Sequence, residues 1–156
     1  MIKRTKTIVK FCKLPHYVEN EANLCYATNQ AACFDICAAI AEPFVLKAGQ
    51  RAGIPTAIKT VPEGDLWFRV NSRSGLAFKH GIITIGGIID ADYRGEWFIG
   101  LLNTSDTDYV INAGDKIAQV ELPFPYMAEF LEVSLSEYEA LSETERGAGG
   151  FGSSGR

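Results

Sequence analysis

The fold class is decided by residues 96–122, EWFIGLLNTSDTDYVINAGDKIAQVEL. They hold three short runs of β-branched, aromatic and other apolar residues, separated by a polar stretch and by the turn signal Ala113-Gly114-Asp115. Working outward, similar runs lie at residues 7–11, 43–46, 66–70 and 82–85, again bounded by Gly, Pro, Asn or Asp. Many short strands at near-regular spacing predict an all-β, jelly-roll-like fold or a distorted β-barrel.

One short segment predicts a helix. It covers residues 74–80, SGLAFKH, and Gly81 is expected to end it. Residues 134–143 are polar and acidic, which fits either a short helix or an extended arm. From Gly147 onward Phe151 is the single large apolar side chain, too little to order the segment by burial. We therefore predict a β-domain over residues 1–133 and a C-terminal arm over 134–156 with a flexible, glycine-rich end.

Composition limits the class of protein. The chain has 156 residues, 47% hydrophobic and 22% charged, which suits one soluble globular domain. A net charge of −4 without a basic block argues against a nucleic-acid partner, and no apolar run is long enough to span a membrane. The four cysteines form no C-x-x-C pair, which argues against a zinc site. With no signal-like start, we expect reduced thiols and a cytoplasmic location, or the host-cell cytoplasm if the gene is viral.

Three short patterns carry candidate chemistry. Residues 89–95, IDADYRG, place two carboxylates, a tyrosine and an arginine in a predicted hairpin turn. Residues 71–75, NSRSG, form a loop into a helix start, where free N–H groups suit anions. Residues 147–152 fit the G-x-G-x-x-G pattern, but the chain ends at Arg156 without the strand, helix and acidic residue of a dinucleotide site. His16 and His80 have no partners at metal-ligand spacing, so both are interpreted as surface or packing residues.

Taken in order, five segments resemble the five motifs of the trimeric dUTPase family. They are residues 32–36 (ACFDI), 73–77 (RSGLA), 87–95 (GIIDADYRG), 114–119 (GDKIAQ) and 146–155 (RGAGGFGSSG). The resemblance implies a jelly-roll-like subunit in a homotrimer whose active sites are shared between subunits. It also implies hydrolysis of dUTP to dUMP and pyrophosphate, which limits uracil in DNA and supplies dUMP for thymidylate synthesis.

The resemblance assigns roles to single residues. Asp90 is expected to act as general base on the water that attacks the α-phosphate, and Tyr93 to pack on the deoxyribose and exclude UTP. Mg²⁺ is expected as a cofactor on the triphosphate with no direct protein ligand, and Asp35 to order water around it. The remaining expected substrate contacts are Arg73, Ser74, Gly75 and Gln119 for the phosphates, Thr84, Gly87, Ile88, Ile89 and Phe98 in the arms around uracil, and Arg146, Phe151, Gly152, Ser153 and Ser154 in the tail.

The chain departs from the family pattern at a few positions. Cys33 stands where glycine is usual, Ser72 replaces the usual proline before Arg73, and Ser154 stands where threonine is common. Ser72 is expected to loosen its loop slightly. Residues 13–24 and 134–140 are longer than is typical and are expected to be surface or trimer-edge additions.

Two alternative functions stay open at this point. A dCTP deaminase shares the fold, but it is expected to carry a glutamate at the base position and to lack the Gly-Gly-Phe-Gly tail. The second alternative is a regulatory binding protein in which the dUTPase scaffold docks on another protein and nucleotide acts as the switch.

Overall fold

The structure is a computed structural model that describes residues 5–123, 126–144 and 147–149. Strands dominate it, as the sequence predicts. The strands are β1 Thr5–Lys13, β2 Phe34–Cys37, β3 Phe44–Leu46, β4 Arg51–Pro55, β5 Ile58–Pro62, β6 Phe68–Asn71, β7 Ile82–Ile85, β8 Ile88–Ile89, β9 Phe98–Asn103, β10 Tyr109–Ile111, β11 Lys116–Glu121 and β12 Tyr126–Glu132, and the helices are α1 Ser74–His80 and α2 Leu135–Leu141. Neither helix of the described chain is long and apolar enough to cross a membrane.

The strands pair into four sheets, in the orders β12-β1-β5, β10-β3, β2-β11-β6-β8 and β4-β9-β7. The pairing is antiparallel except for β1 with β12, which run parallel. The all-β, jelly-roll-like prediction is confirmed. Over the described residues the sheets do not join into one closed barrel.

The apolar core lies between these sheets. Its largest members are fully buried, among them Trp97, Phe34 and Phe68. The rings of Phe68 and Trp97 meet edge to face with their centroids 4.8 Å apart, a favoured aromatic geometry. Since Phe68 begins β6 and Trp97 immediately precedes β9, this contact joins the two sheets that border the site described below.

Helix α1 ends where the sequence predicts. Gly81 has a left-handed backbone (φ 67°), and its N–H donates to the carbonyl of Ala77, which is the glycine C-cap arrangement. Helix α2 resolves the choice that the sequence left open for residues 134–143. A capping box starts it, since the Ser134 hydroxyl accepts from the Glu137 N–H while the Glu137 carboxylate accepts from the Ser134 N–H. The box therefore fixes a helix rather than an extended arm.

The chain changes sheets at Gly86 and Gly87. Strand β7 before them pairs with β9, whereas β8 after them pairs with β6. Gly86 has a positive φ of 69°, which favours glycine there. Residues 90–97 then link β8 to β9, which belong to different sheets. The expected hairpin turn over residues 89–95 is therefore wrong, because a hairpin joins two strands that pair with each other.

Candidate active site

An apolar cavity of about 420 Å³ opens where the chain changes sheets. Residues 86–89 and 98–100 border it, together with Val70, Tyr93 and Trp97. Of the residues predicted from the sequence, it brings together Gly87, Ile88, Ile89, Tyr93 and Phe98. Trp97 was not predicted, and its place in an apolar run gave no signal that it would line a cavity.

Close main-chain approaches occur among the residues that line the apolar cavity. The Val70 N–H donates to the Gly87 carbonyl at 2.8 Å. A Cβ on Gly100 would lie 2.6 Å from the carbonyl oxygen of Ile85, closer than real Cβ atoms approach. Glycine at position 100 therefore allows β9 and β7 to approach closely beside the cavity.

The turn over residues 90–95 places a tyrosine beside this cavity. The Tyr93 hydroxyl donates to the Glu96 carbonyl at 2.8 Å, and the Tyr93 N–H donates to the Asp90 carbonyl at 3.1 Å. A Cβ on Gly95 would come within 2.8 Å of Cε2 of the Tyr93 ring. Asp90 directly follows Ile89, which lines the cavity, and the Asp90 side chain is exposed. The turn thus fixes Tyr93 tightly and presents Asp90 to solvent next to the cavity.

A second, charged cavity of about 660 Å³ lies at the start of α1. Of the predicted residues, it brings together Asp35, Arg73, Ser74, Gly75 and Gln119. Lys79 and His80 also line it and were not predicted as site residues. The sequence could have indicated both residues, because residues four apart on a helix share a face. Gly75 and Leu76 come four residues before Lys79 and His80.

Ion pairs organise the charged cavity. The Asp35 carboxylate accepts from Arg73 Nε at 3.2 Å and meets Lys116 Nζ at 2.7 Å. Arg73 Nη1 also donates to the Lys116 carbonyl at 3.3 Å. The Asp35 side chain is only 13% exposed, so these pairs are less screened than surface pairs. Two cations around one carboxylate leave the cluster with a net positive charge, which suits an anionic ligand.

Ser72 ties this loop to β7 and β11. The Ser72 hydroxyl accepts from the Thr84 N–H at 2.9 Å and lies 3.2 Å from the Thr84 hydroxyl. Gln119 Nε2 donates to the Ser72 carbonyl at 2.9 Å. The serine that replaces the usual proline therefore gives the loop side-chain contacts that a proline cannot make. Thr84 borders neither cavity but supports the loop that carries Arg73.

The predicted site residues thus form two groups in one chain. Within the described residues, no residue lines both cavities. The predicted tail residues Arg146, Phe151, Gly152, Ser153 and Ser154 lie outside the described residues.

A family model described as dUTPase matches residues 19–155. The chain belongs to the dUTPase family. Its similar relatives include deoxyuridine 5'-triphosphate nucleotidohydrolases from Wolbachia sp. subsp. Brugia malayi (strain TRS), 42% identical over 99% of this chain and 98% of the relative, and from Chlamydia pneumoniae, 47% identical over 83% and 88%. These matches confirm the family that the five motifs indicate.

Solved dUTPase structures have a similar fold. The G164S mutant of the Staphylococcus bacteriophage 80alpha dUTPase, solved with dUpNHpp, is 26% identical to this chain. It covers 95% of this chain and 98% of its own, with a TM-score of 0.63. The dUTPase of Streptococcus mutans is 25% identical, covers 76% and 96% of the two chains, and has a TM-score of 0.64.

Proposed function

We propose that this chain hydrolyses dUTP to dUMP and pyrophosphate. The observation that carries the proposal is the apolar cavity with its turn, because Tyr93 lines this cavity and Asp90 directly follows Ile89, which also lines it. Membership of the dUTPase family and the activity for which the relatives are named support the same reaction. Such an enzyme limits uracil in DNA and supplies dUMP for thymidylate synthesis.

The apolar cavity holds the nucleoside. Main-chain donors and acceptors between residues 84–90 and around Phe98 read the uracil edge, and cytosine would leave buried polar groups unpaired. The Tyr93 ring packs on the deoxyribose and leaves no room for a 2′-hydroxyl. Its hydrogen bond to the Glu96 carbonyl and its contact with Gly95 support this role, because both restrict where the ring can move.

The charged cavity holds the phosphate chain. Arg73 supplies a planar guanidinium for phosphate oxygens, and Ser74 and Gly75 offer hydroxyl and N–H donors at the start of α1. Gln119 contacts the same chain of phosphates. Asp35 and Lys116 hold Arg73 in place before the triphosphate arrives.

Asp90 activates the attacking water. The carboxylate takes a proton from water, the water oxygen bonds to the α-phosphorus, and the bond from that phosphorus to the bridging oxygen breaks. Pyrophosphate leaves with the electron pair of that bond, and dUMP remains. A carboxylate within hydrogen-bond reach of the attacking water is a usual general base for such a step.

Magnesium enters with the substrate. Among the described residues, no group of three or more His, Cys, Asp or Glu is placed to hold a metal ion. Both oxygens of Asp35 already meet cations, which also fits an ion that is carried by the triphosphate rather than by the protein. Mg²⁺ bound to phosphate oxygens offsets the charge that develops there in the reaction. Ordering water near that ion is the finer role proposed for Asp35.

The working unit is a homotrimer with shared active sites. The separation of the two cavities within one chain supports this, because a site assembled from several subunits can join the nucleoside half of one to the phosphate half of another. In the tail, Arg146 binds the γ-phosphate and Phe151 stacks on uracil. Gly152, Ser153 and Ser154 supply further donors. The β-domain over residues 1–133 carries both cavities, and the arm over 134–156 supplies this tail.

We place the enzyme in the cytoplasm. Cys12, Cys25 and Cys37 are free thiols in the structure, and two of them, Cys12 and Cys37, are buried, which suits a reducing compartment.

The test is the Asp90→Asn variant. It keeps the shape of the side chain but cannot take a proton, so pyrophosphate release from Mg²⁺–dUTP is expected to fall at least about a hundredfold, the usual scale of general-base catalysis. Binding of dUpNHpp, measured by calorimetry, is expected to stay near the wild-type value. Asp92→Asn changes the other carboxylate of the same turn and is expected to retain activity. Full activity in Asp90→Asn, or ammonia release from dCTP by the wild type, overturns the proposal.

A further inference from the structure

The C-terminal arm is hydrogen-bonded to the main chain on both sides of Tyr93. The Tyr138 hydroxyl donates to the Arg94 carbonyl at 2.7 Å, and the Thr144 hydroxyl donates to the Asp92 carbonyl at 2.8 Å. The Arg94 N–H in turn donates to the Gly147 carbonyl at 2.8 Å. The residues before and after Tyr93 are therefore both hydrogen-bonded to the arm.

Tyr138 is built into the fold rather than laid on its surface. It is the buried residue of α2, with 2% of its surface exposed. The helix packs on β1 and β5, and Lys59 Nζ lies 5.6 Å from the centre of the Tyr138 ring. Burial raises the pKa of the Tyr138 phenol, so the hydroxyl remains a donor across the working pH range. The anchor point is thus rigid.

Further hydrogen bonds form within the turn over residues 90–95. Arg94 Nη1 donates to the carbonyls of Ala91 and Tyr93, at 2.7 and 3.0 Å. The Thr144 hydroxyl also accepts from the Gly147 N–H at 2.9 Å, which shapes the arm where it meets the turn. A displacement of the Arg94 main chain would therefore move Tyr93, and with it the Asp90 carbonyl to which the Tyr93 N–H is bonded.

We propose that Tyr138, assisted by Thr144, is a positioning residue that holds the turn over residues 90–95 so that Tyr93 excludes the 2′-hydroxyl and Asp90 faces the reacting phosphate. This rests on the proposed dUTP hydrolysis. It gives residues 134–140, which are long for the family, a role in the chemistry beyond a surface addition. Tyr138 and Thr144 touch neither substrate nor reacting atoms in this scheme and act through the turn.

The test compares Tyr138→Phe and Thr144→Val with Ser142→Ala. The first two variants each delete one hydroxyl that bonds the turn, whereas the Ser142 hydroxyl, among the described residues, donates to the Glu139 carbonyl inside the arm. The assays are kcat and KM for Mg²⁺–dUTP, kcat/KM for UTP, and the melting temperature of the full chain. Loss of a single hydrogen bond commonly changes an equilibrium by about three- to tenfold.

For Tyr138→Phe and Thr144→Val we expect kcat/KM for dUTP to fall about three- to tenfold and the preference for dUTP over UTP to fall as well. Ser142→Ala is expected to match the wild type in both. A lower melting temperature with an unchanged dUTP-to-UTP preference would show a merely structural role and overturn the inference. Kinetic constants equal to those of Ser142→Ala would also overturn the inference. If Tyr138→Phe fails to fold, Thr144→Val decides alone. A wild type that does not hydrolyse dUTP defeats the proposed function itself, which is a different result.

Discussion

The two cavities are built on opposite principles. The apolar cavity is lined by aromatic rings and by close main-chain approaches, and its shape depends on glycines that allow strands to approach closely. The charged cavity is made by side chains, in an ion-pair cluster of Arg73, Asp35 and Lys116. Under the proposed function, the apolar cavity rejects a wrong nucleoside by shape, whereas the charged cavity accepts any phosphate chain of suitable charge.

This difference predicts how mutations in each cavity change nucleotide binding. Damage to the charged cavity should weaken the binding of every nucleoside triphosphate alike, and the effect should depend on ionic strength, because salt screens the attraction between the cavity and an approaching charged ligand. Damage to the apolar cavity should instead change which nucleoside is accepted. Selectivity and affinity are therefore separable by mutation.

The largest effect is expected for Arg73→Ala. The change removes the guanidinium that pairs with Asp35 and lines the charged cavity, and charge-assisted bonds are worth about 1.5–3 kcal/mol each. We expect kcat/KM for dUTP to fall about a hundredfold with the dUTP-to-UTP preference nearly unchanged. Steady-state kinetics at two salt concentrations measure this.

Arg69→Ala is the matched control for Arg73→Ala. Arg69 lies in β6, just before the loop that carries Arg73, but it lies over the Trp67 ring and borders neither of the two cavities. It is expected to leave the kinetics unchanged. Equal losses in the two variants would mean that general positive charge, rather than the Arg73 cluster, binds the phosphates.

The next effect is expected for Gly95→Ala. The added Cβ would overlap the Tyr93 ring, and overpacking of this kind costs about 1–3 kcal/mol. With the ring displaced, we expect kcat/KM for dUTP to fall about ten- to thirtyfold and discrimination against UTP to weaken. Gly53→Ala serves as control, because its Cβ would meet Phe98 only at an ordinary 3.8 Å. Unchanged selectivity in Gly95→Ala would contradict the shape principle for the apolar cavity.

The sequence predicted the strands whose own residues favour the β conformation. The runs at residues 82–85 and 109–111 match β7 and β10, since β-branched and aromatic residues fill them. Strand β4, RAGIP, was missed because its glycine and proline disfavour a strand, and pairing with β9 imposes the conformation. For α2 the Ser134–Glu137 spacing was a usable signal that the acidic composition of the segment obscured.

The site was predictable in its parts but not in its arrangement. The motifs identified part of the lining of each cavity, such as Gly87 and Tyr93 in the apolar cavity and Arg73 and Gly75 in the charged cavity, because those positions carry charge, glycine or an aromatic ring. They did not show that Gly86 and Gly87 send the chain from one sheet to another, which depends on pairing between distant strands. The same holds for Tyr138 and Arg94, 44 residues apart in sequence, whose contact only the tertiary fold creates.

A smaller effect is expected for Ser72→Ala, which tests the link between the two halves. The variant leaves the Thr84 N–H without the Ser72 hydroxyl at 2.9 Å, and a lost neutral hydrogen bond is worth about 1 kcal/mol. We expect KM for dUTP to rise about three- to fivefold with kcat little changed. Thr84→Val removes the other hydroxyl of the pair, so the double variant should be less impaired than the two single effects combined. Strict additivity in that cycle would show that the two side chains act independently.

The smallest effect concerns stability and involves Cys37, two residues after Asp35 of the charged cavity. Burial, with a secondary contribution from the Asp35 carboxylate, raises the pKa of the Cys37 thiol from 9.0 to about 11. Between these values the unfolded chain loses the proton that the folded chain keeps, so the free energy of unfolding falls as pH rises, by at most about 1.4 kcal/mol per pH unit. Below pH 9 the contribution is complete. Urea unfolding at several pH values should therefore show a steeper alkaline decline for the wild type than for Cys37→Ala. Cys25→Ala, which changes an exposed cysteine, should keep the wild-type slope. Equal slopes for the wild type and Cys37→Ala would mean that this thiol is not held in its neutral form by the fold.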